Sequence, residues 1–379
     1  MNSRIAVLAL AAAALAACEQ NRSLTSPAAA LLQAQRDAQV TGDLAGPGAV
    51  YTLTNQVAGN AVAVFTRGAD GRLTSAGTVA TGGTGTGAGL GSQGAVVLSH
   101  DGRRLFAVNA GSNDVSVFTV GAAGLSLASR TSSGGTLPIS LTVHGNELYV
   151  LNAGGSGNIS GFTVDNSGGL TRIAGSTQPL SGSNVGPAQV SFSPDGRHLV
   201  VTEKTTNLLD VYSVDANGSA SGPTTTPSAG GTPFGFAFGH RSDLFVSEAA
   251  GSASSYVLDA SGNVTLVSGA VSTQRGAPCW AVVTADGRFG FTGNGSGSVS
   301  AFAIAPNGAI SLVDANGGTA VLPAGVNDIA LSHNSRYLYV LQTGGAQAIH
   351  AFHIEADGHL TALGPIAGLP AGTRGLAAF

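Results

Sequence analysis

Charge is what this chain has least of. Of its 379 residues only 9 % are Asp, Glu, Lys or Arg, and the net charge is −4. Lysine occurs once, as Lys204, and no basic stripe exists, so a nucleic-acid partner is not expected. Cysteine occurs twice, as Cys18 and Cys279, which leaves no intramolecular disulfide if Cys18 is consumed by another reaction. No GxSxG sequence is present, so the nucleophile elbow of an α/β-hydrolase has no support. The apolar run at the N-terminus, Ile5 to Ala17, is 13 residues long. That is well short of the roughly 20 residues a permanent membrane-spanning helix needs. Helical periodicity is not sustained anywhere after residue 35. The segment GLGSQG (89–94) matches the dinucleotide pattern GxGxxG, but it lies in a Gly/Thr-rich loop and leads into a strand. The pattern needs a strand before it and a helix after it, so no nucleotide cofactor is expected, and no other cofactor either.

Glycine is abundant, with 57 residues, and a repeat is written throughout. SHDGRRLFAVN (99–109) and SPDGRHLVVTE (193–203) are two statements of one unit: a polar turn, an alternating apolar run, then an Asn or Glu. The residue ending the run recurs as Asn55, Asn109, Asn152, Glu203, Glu248, Asn294 and Gln342. An aromatic follows each, as Phe65, Phe118, Phe162, Tyr212, Tyr256, Phe302 and Phe352. The runs alternate with period two and favour Val, Phe, Tyr, Leu and Thr, so they are strands. Asp-Gly and Asn-Gly dipeptides between them supply the left-handed backbone of tight hairpins. Each unit is therefore a four-stranded antiparallel meander, with strands A to D. One such sheet cannot bury both its faces, whereas seven around an axis can. The expected fold is all-β, a seven-bladed β-propeller over residues 46–379. The first unit lacks a strand A, and the chain ends on RGLAAF (374–379) with no strand B after it. The C-terminal strand is therefore expected to close the ring by completing the first blade.

The N-terminus reads as a secretory signal, with Arg4 ahead of the apolar run. It ends Leu15-Ala16-Ala17-Cys18, which resembles the bacterial lipoprotein box. That resemblance implies diacylation of Cys18, a mature chain beginning there, and attachment to a membrane through the lipid alone. The alternative is an ordinary signal peptide with a chance cysteine. Residues 18–45 read as a polar tether, with a helical piece around 28–38.

Among chemical candidates, His100, His144, His240 and His333 all fall at the turn between strands A and B. Equivalent turns of radiating blades lie on a ring and are expected to be far apart, so no metal site is predicted. Cys279 reads as a small apolar residue at the start of a strand A. The seven run-ending residues are expected to line one rim of the central channel, where the B–C and D–A loops meet. For Asn109, Asn152 and Asn294 the alternatives are turn capping and ligand contact. Glu203 and Glu248 stand where the other units carry amides, so they are candidate acid/base groups. Lys204 follows directly and is a candidate substrate contact. Arg275 and Arg374 fall in D–A loops and are candidate anion contacts. The longest of these loops, 80–94 and 175–187, mark this face as the binding face.

The pattern SPDGRxLxVxNxGSNxVSVFxVxxxGxL, carried best by 99–125 and 193–218, resembles the bacterial lactonase-type seven-bladed propellers, which include propeller 6-phosphogluconolactonases. The resemblance implies a small-molecule lactone as substrate. Catalytic members of that family look like GPRH ahead of the turn Asp. Here Pro187-Ala188-Gln189, Pro278-Cys279-Trp280 and Val326-Asn327-Asp328 stand in those places, and only Arg374, followed by Gly375, keeps the Arg register. The family's Asn-Glu at the end of strand B falls on Glu203-Lys204. Two functions follow as expectations: a cell-envelope lactone hydrolase, or a non-catalytic propeller that binds an envelope protein or glycan.

Overall fold

The turn of the repeated unit builds itself from its own side chains. In SPDGRH, Ser193 Oγ donates to Asp195 Oδ1 at 2.6 Å and accepts from the His198 N–H at 3.0 Å. The Arg197 N–H reaches the same Asp195 oxygen at 3.1 Å. Gly196 takes φ 72°, the left-handed conformation this turn requires. Ser99–Asp101, Thr284–Asp286 and Ser332–Asn334 repeat the arrangement. These turns join strands whose alternation puts one face toward each neighbouring sheet.

The structure is a computed structural model that describes residues 48–379, apart from 240–242 and 346. Seven antiparallel sheets follow one another along the chain. Strand A of successive blades is Arg374–Ala378, Val96–Leu98, Pro138–His144, Pro187–Phe192, Pro233–Phe238, Pro278–Val283 and Val326–Leu331. Each A strand packs against the A strand of the next blade, including the seventh against the first, so the ring is closed. Closure is as expected: Val50 pairs with Ala378 and Tyr51 with Ala377, which makes the C-terminal strand the inner strand of blade one. Blades three and six differ from a plain meander in that strand D is broken into two short pieces, Leu170–Arg172 with Gln178–Pro179 and Ile310–Leu312 with Ala320–Val321. The helical piece around 28–38, the tether and Cys18 lie outside the described residues.

The core lies between blades. The seven aromatics of strand C are all buried, none more than 5 % exposed. Each stabilises its interface by about 1.5–3 kcal/mol. Near the axis the inner edges of the A strands are capped by the preceding blade. Ser140 Oγ accepts the Val190 N–H at 3.1 Å, and Gln189 pairs with both the N–H and the C=O of Phe236 at 2.8 and 3.0 Å.

The turn histidines correct one expectation. His100 of blade two and His333 of blade seven approach with ring centroids 5.7 Å apart, and His333 also meets the Phe379 ring at 4.8 Å. Phe379, which follows the inner strand of blade one, stands between the two turns, its ring also lying against Gly102. Among the described residues no cluster of three or more potential metal ligands forms. His240 lies outside the described residues.

Removing residues 374–379 deletes the inner strand of blade one and the buried Leu376 and Ala377. The expected loss is about 3 kcal/mol or more, since truncating one buried Leu alone costs roughly 2–5 kcal/mol. Thermal melting checks it: a truncated chain that melts with the full chain would contradict ring closure as a stabilising device.

Candidate active site at the channel mouth

Every A strand from blade three to blade seven carries an irregularity where it enters the ring. Pairing with strand B skips one residue after Pro138, Pro187 and Val326, two after Pro233, and one after Pro278. The skipped residues include Ile139, Ala188, Phe234, Cys279 and Asn327. Such bulges re-aim side chains, and in blade one the irregularity follows Arg374, which pairs with Leu53.

The Gly-rich loop 81–94 crosses this mouth as a strap. Ser92 Oγ donates to Ile139 O at 2.8 Å in blade three, and the Gln93 N–H donates to Ala188 O at 3.2 Å in blade four. On the far side of the ring Gln93 pairs with the N–H and C=O of Ala281 at 2.9 and 2.7 Å. Ser92 O accepts the Trp280 indole N–H at 3.1 Å. Gln93 occupies the place of a missing side chain: a Cβ on Gly235 would collide with its amide oxygen. Thus Gln93 does for blade six what Gln189 does for blade five. The sequence reading found this loop long and its GxGxxG spurious as a nucleotide motif, and missed its role as a crossbeam.

Two cations flank the strap. Lys204 Nζ donates to Gly91 O at 2.6 Å and to Pro187 O at 2.7 Å, and lies 5.0 Å from the Phe234 ring centroid. Burial pushes its amine down to about 8, and the nearby Cys279 thiol is itself pushed up to about 12 by burial. Lys204 opens on a cavity of about 330 Å³ lined by Leu90, Ile139, Leu180, Asn184 and Val185 among others. Arg374 stands by Gly89, with Nη1 donating to Thr343 Oγ1 at 3.2 Å and Thr373 O at 2.6 Å. Its Nε is buried and unbonded, and burial lowers its pKa. Gly89 and Gly91 are two residues apart, so their Cα atoms are no more than about 7.6 Å apart.

The remaining expected site residues are elsewhere. The seven run-ending residues do not line an open rim; each is buried, Glu203 and Glu248 at 0 % exposure. Glu248 accepts from Ser228 Oγ, the Gly230 N–H, Ser252 Oγ and Ser254 Oγ at 3.1, 2.8, 2.5 and 2.6 Å. Glu203 accepts from the Ser181 N–H at 3.0 Å, from Ser181 Oγ, and from Thr206 Oγ1 at 2.6 Å. With those oxygens occupied and sealed, this geometry gives neither carboxylate access to a substrate water. Asn109 is bonded to Asp114, Ser116 and Asn60, Asn152 to Asn158, and Asn294 to Ser298 and Ser300, all inside or between blades. They are rungs of the blades and do not reach a ligand space. Arg275 packs on Gly318 of blade six, with its Nε buried and without a partner.

Sequence reading also passed over Asp328, next to the bulge in blade seven. It is buried, accepts the Ile329 and Leu376 N–H groups, and has an Oδ2 without a partner. Burial holds its carboxyl well above the usual carboxylate range. Its place two residues into strand A was the one signal available.

Comparison with known proteins agrees with the repeat. Residues 51–183 match the family model described as "Lactonase, 7-bladed beta-propeller". A "putative 6-phosphogluconolactonase" of Bacteroides fragilis superposes with a TM-score of 0.69 at 18 % identity, over 87 % of this chain and 97 % of that one. A periplasmic gluconolactonase of Pseudomonas aeruginosa gives a TM-score of 0.67 at 18 % identity, over 86 % and 98 %. At such identities these likenesses show the fold. No match was found among curated proteins.

Replacing Glu248 by Ala should destabilise the fold by roughly 3 kcal/mol or more, because Ser228, Ser252, Ser254 and the Gly230 N–H lose their acceptor together. Chemical denaturation measures this. A variant as stable as the parent would show that the carboxylate is not a structural hub.

Proposed function

We propose that this lactonase-type seven-bladed propeller hydrolyses a small lactone at the strap-crossed mouth of its channel. The observation that supports this reading is Lys204. It is the group at the mouth whose neutral form is within reach of ordinary pH, and it opens on a cavity of about 330 Å³. That volume is of the size that takes a small ligand. Hydrolysis needs a base within hydrogen-bond reach of the attacking water and a donor for the developing oxyanion or for an anionic substituent. Lys204 in its neutral form takes the proton of water. Arg374, whose guanidinium stands beside the strap at Gly89, holds negative charge there. The lactonase and gluconolactonase descriptions of the family model and of structural neighbours support the choice of a cyclic ester.

A second reading, a non-catalytic propeller binding an envelope protein or glycan, is favoured by one observation. The carboxylates at this end of the blades, Asp114, Glu203, Asp210, Glu248 and Asp328, are all buried. None of these five is exposed to serve as a conventional base.

A lactone panel with pH-stat detection distinguishes the two. On the first reading, kcat/KM rises about tenfold per pH unit and levels off above about 8, because the amine must lose its proton before it can accept one. Lys204→Met should lower kcat by about 10²-fold or more, and Arg374→Gln should raise KM about tenfold while melting stays close to the parent's. Turnover that survives Lys204→Met would reject the assignment. A parent inactive on the whole panel would favour the binding reading.

We also propose that the mature chain is held at a membrane of the cell envelope by a diacylated Cys18. Support comes from Leu15-Ala16-Ala17-Cys18 directly after the short apolar run. Two acyl chains suffice for stable anchoring. Cys18→Ser should move the protein from the membrane to the soluble or unprocessed fraction, and unchanged fractionation would count against the anchor.

A further inference from the structure

In each blade from two to seven, the residue two positions into strand C from the partner of the run-ending residue faces that residue. It is Ser116, Ser160, Ser254 or Ser300 in blades two, three, five and six, and His350 in blade seven. These can donate or accept as needed. Blade four departs from the pattern, because Asp210 stands there opposite Glu203. Both carboxyls are fully buried. One backbone N–H, that of Ser181, serves both, at 3.0 Å to Glu203 Oε1 and 3.2 Å to Asp210 Oδ2. Ser181 Oγ adds a further bond to Glu203.

We infer that Glu203 and Asp210 form a proton-held latch that fastens the segment 178–187 onto blade four and loosens as the pair ionises fully. Ser181 lies in that segment, and Leu180, Asn184, Val185, Gly186 and Pro187 of the same segment wall the Lys204 cavity. Lys204 is also the residue after Glu203. The latch therefore regulates access to the cavity. This goes beyond the hydrolase reading and holds whether or not the cavity turns over a lactone.

The chemistry is that of two acids in a dry place. Side by side, away from water, two carboxylates repel and neither can be hydrated, so the pair keeps one proton between them. Burial first, and then Glu203, push Asp210 up to about 8. The other titratable groups on this side are few. Tyr212 on the same strand donates its hydroxyl to Pro179 O at 2.9 Å, and burial, then Asp210 and Glu203, push it far up. Tyr149 from blade three donates to Gly218 O at 2.7 Å, and burial holds it up as well. The facing residues Gln178 to Ser181 are not titratable, strand D presents Thr225, and Lys204 directs its amine to Gly91 and Pro187. Among the described residues the side-chain and backbone donors to the pair are those of Ser181 and Thr206, and none is a cation.

The sign follows from linkage. The closed latch binds a proton that the opened, hydrated pair releases near the ordinary carboxylate value of 3.8. Opening is therefore hardest at low pH, becomes easier by up to tenfold per pH unit as pH rises from about 4 toward 8, and levels off above that.

Hydrogen exchange resolved to peptides covering 178–187 tests this between pH 5 and 8.5, after correction for the intrinsic pH dependence of exchange. The parent should lose protection in that segment by up to tenfold per pH unit below about 8, while peptides in blade two stay level. Asp210→Asn keeps size, replaces the shared proton by a permanent N–H donor to Glu203, and should make protection of the segment independent of pH. A parent whose segment runs parallel to Asp210→Asn across the window overturns the latch. If Asp210→Asn folds poorly, Glu203→Gln supplies the same permanent donor from the other side and is read the same way. Because the readout is exchange, an absence of lactone turnover does not bear on it.

Discussion

An inner strand edge facing a channel is the constraint on which this structure depends. Seven sheets converge on one axis, and each brings a strand A whose backbone groups are paired with strand B on one side only. Unsatisfied backbone groups are costly, and open edges invite association. Here the preceding blade supplies the missing partners through single side chains: Ser140 to Val190, Thr142 to Phe192, Gln189 to Phe236, and Asp328 to Leu376. Where blade five has only Gly235 to offer, the strap supplies Gln93 from across the ring. The strap is thus a structural member first. The position of Lys204 and Arg374 beside it follows from that role, since both contact the glycines that let it pass.

The same economy governs the interior of each blade. A polar residue at the end of strand B is buried and must find complementary groups on strand C. Where it is an amide, strand C offers acceptors such as Asp114 or Asn158. Where it is Glu248, strand C offers Ser252 and Ser254 as donors. Blade four breaks the complementarity by placing acid opposite acid, and restores it with a proton. A carboxylate that stands out in sequence among amides is therefore explained by its own blade, without any ligand. This is why the most conspicuous carboxylates of the repeat are the least accessible ones.

Whatever repeats locally could be read from the residues alone. The Ser-x-Asp-Gly-Arg turns, the strand alternation, the buried aromatics of strand C, the number of blades and the closing strand 374–379 are all written within about fifty residues of one another or implied by an unfilled slot. They needed no knowledge of distant contacts, because hairpins and period-two burial are short-range physics. The site was only partly legible. Lys204 could be named because it is the one lysine of the chain, and Arg374 because it falls in a D–A loop and keeps the Arg register of the family. The direction of the seven run-ending side chains could not be read, since whether a residue at the end of strand B looks into a rim or into its blade depends on the neighbouring loops that cover it. Tertiary structure alone decided that Gln93 pairs with Ala281, 188 residues away, and that His100 meets His333 around a chain end. It likewise decided that Asp210 shares Ser181 with Glu203. The first two contacts join residues that the ring brings together by closing, and the third depends on how the loop between blades three and four folds back over blade four; in each case the spacing of the residues carries no mark of the contact.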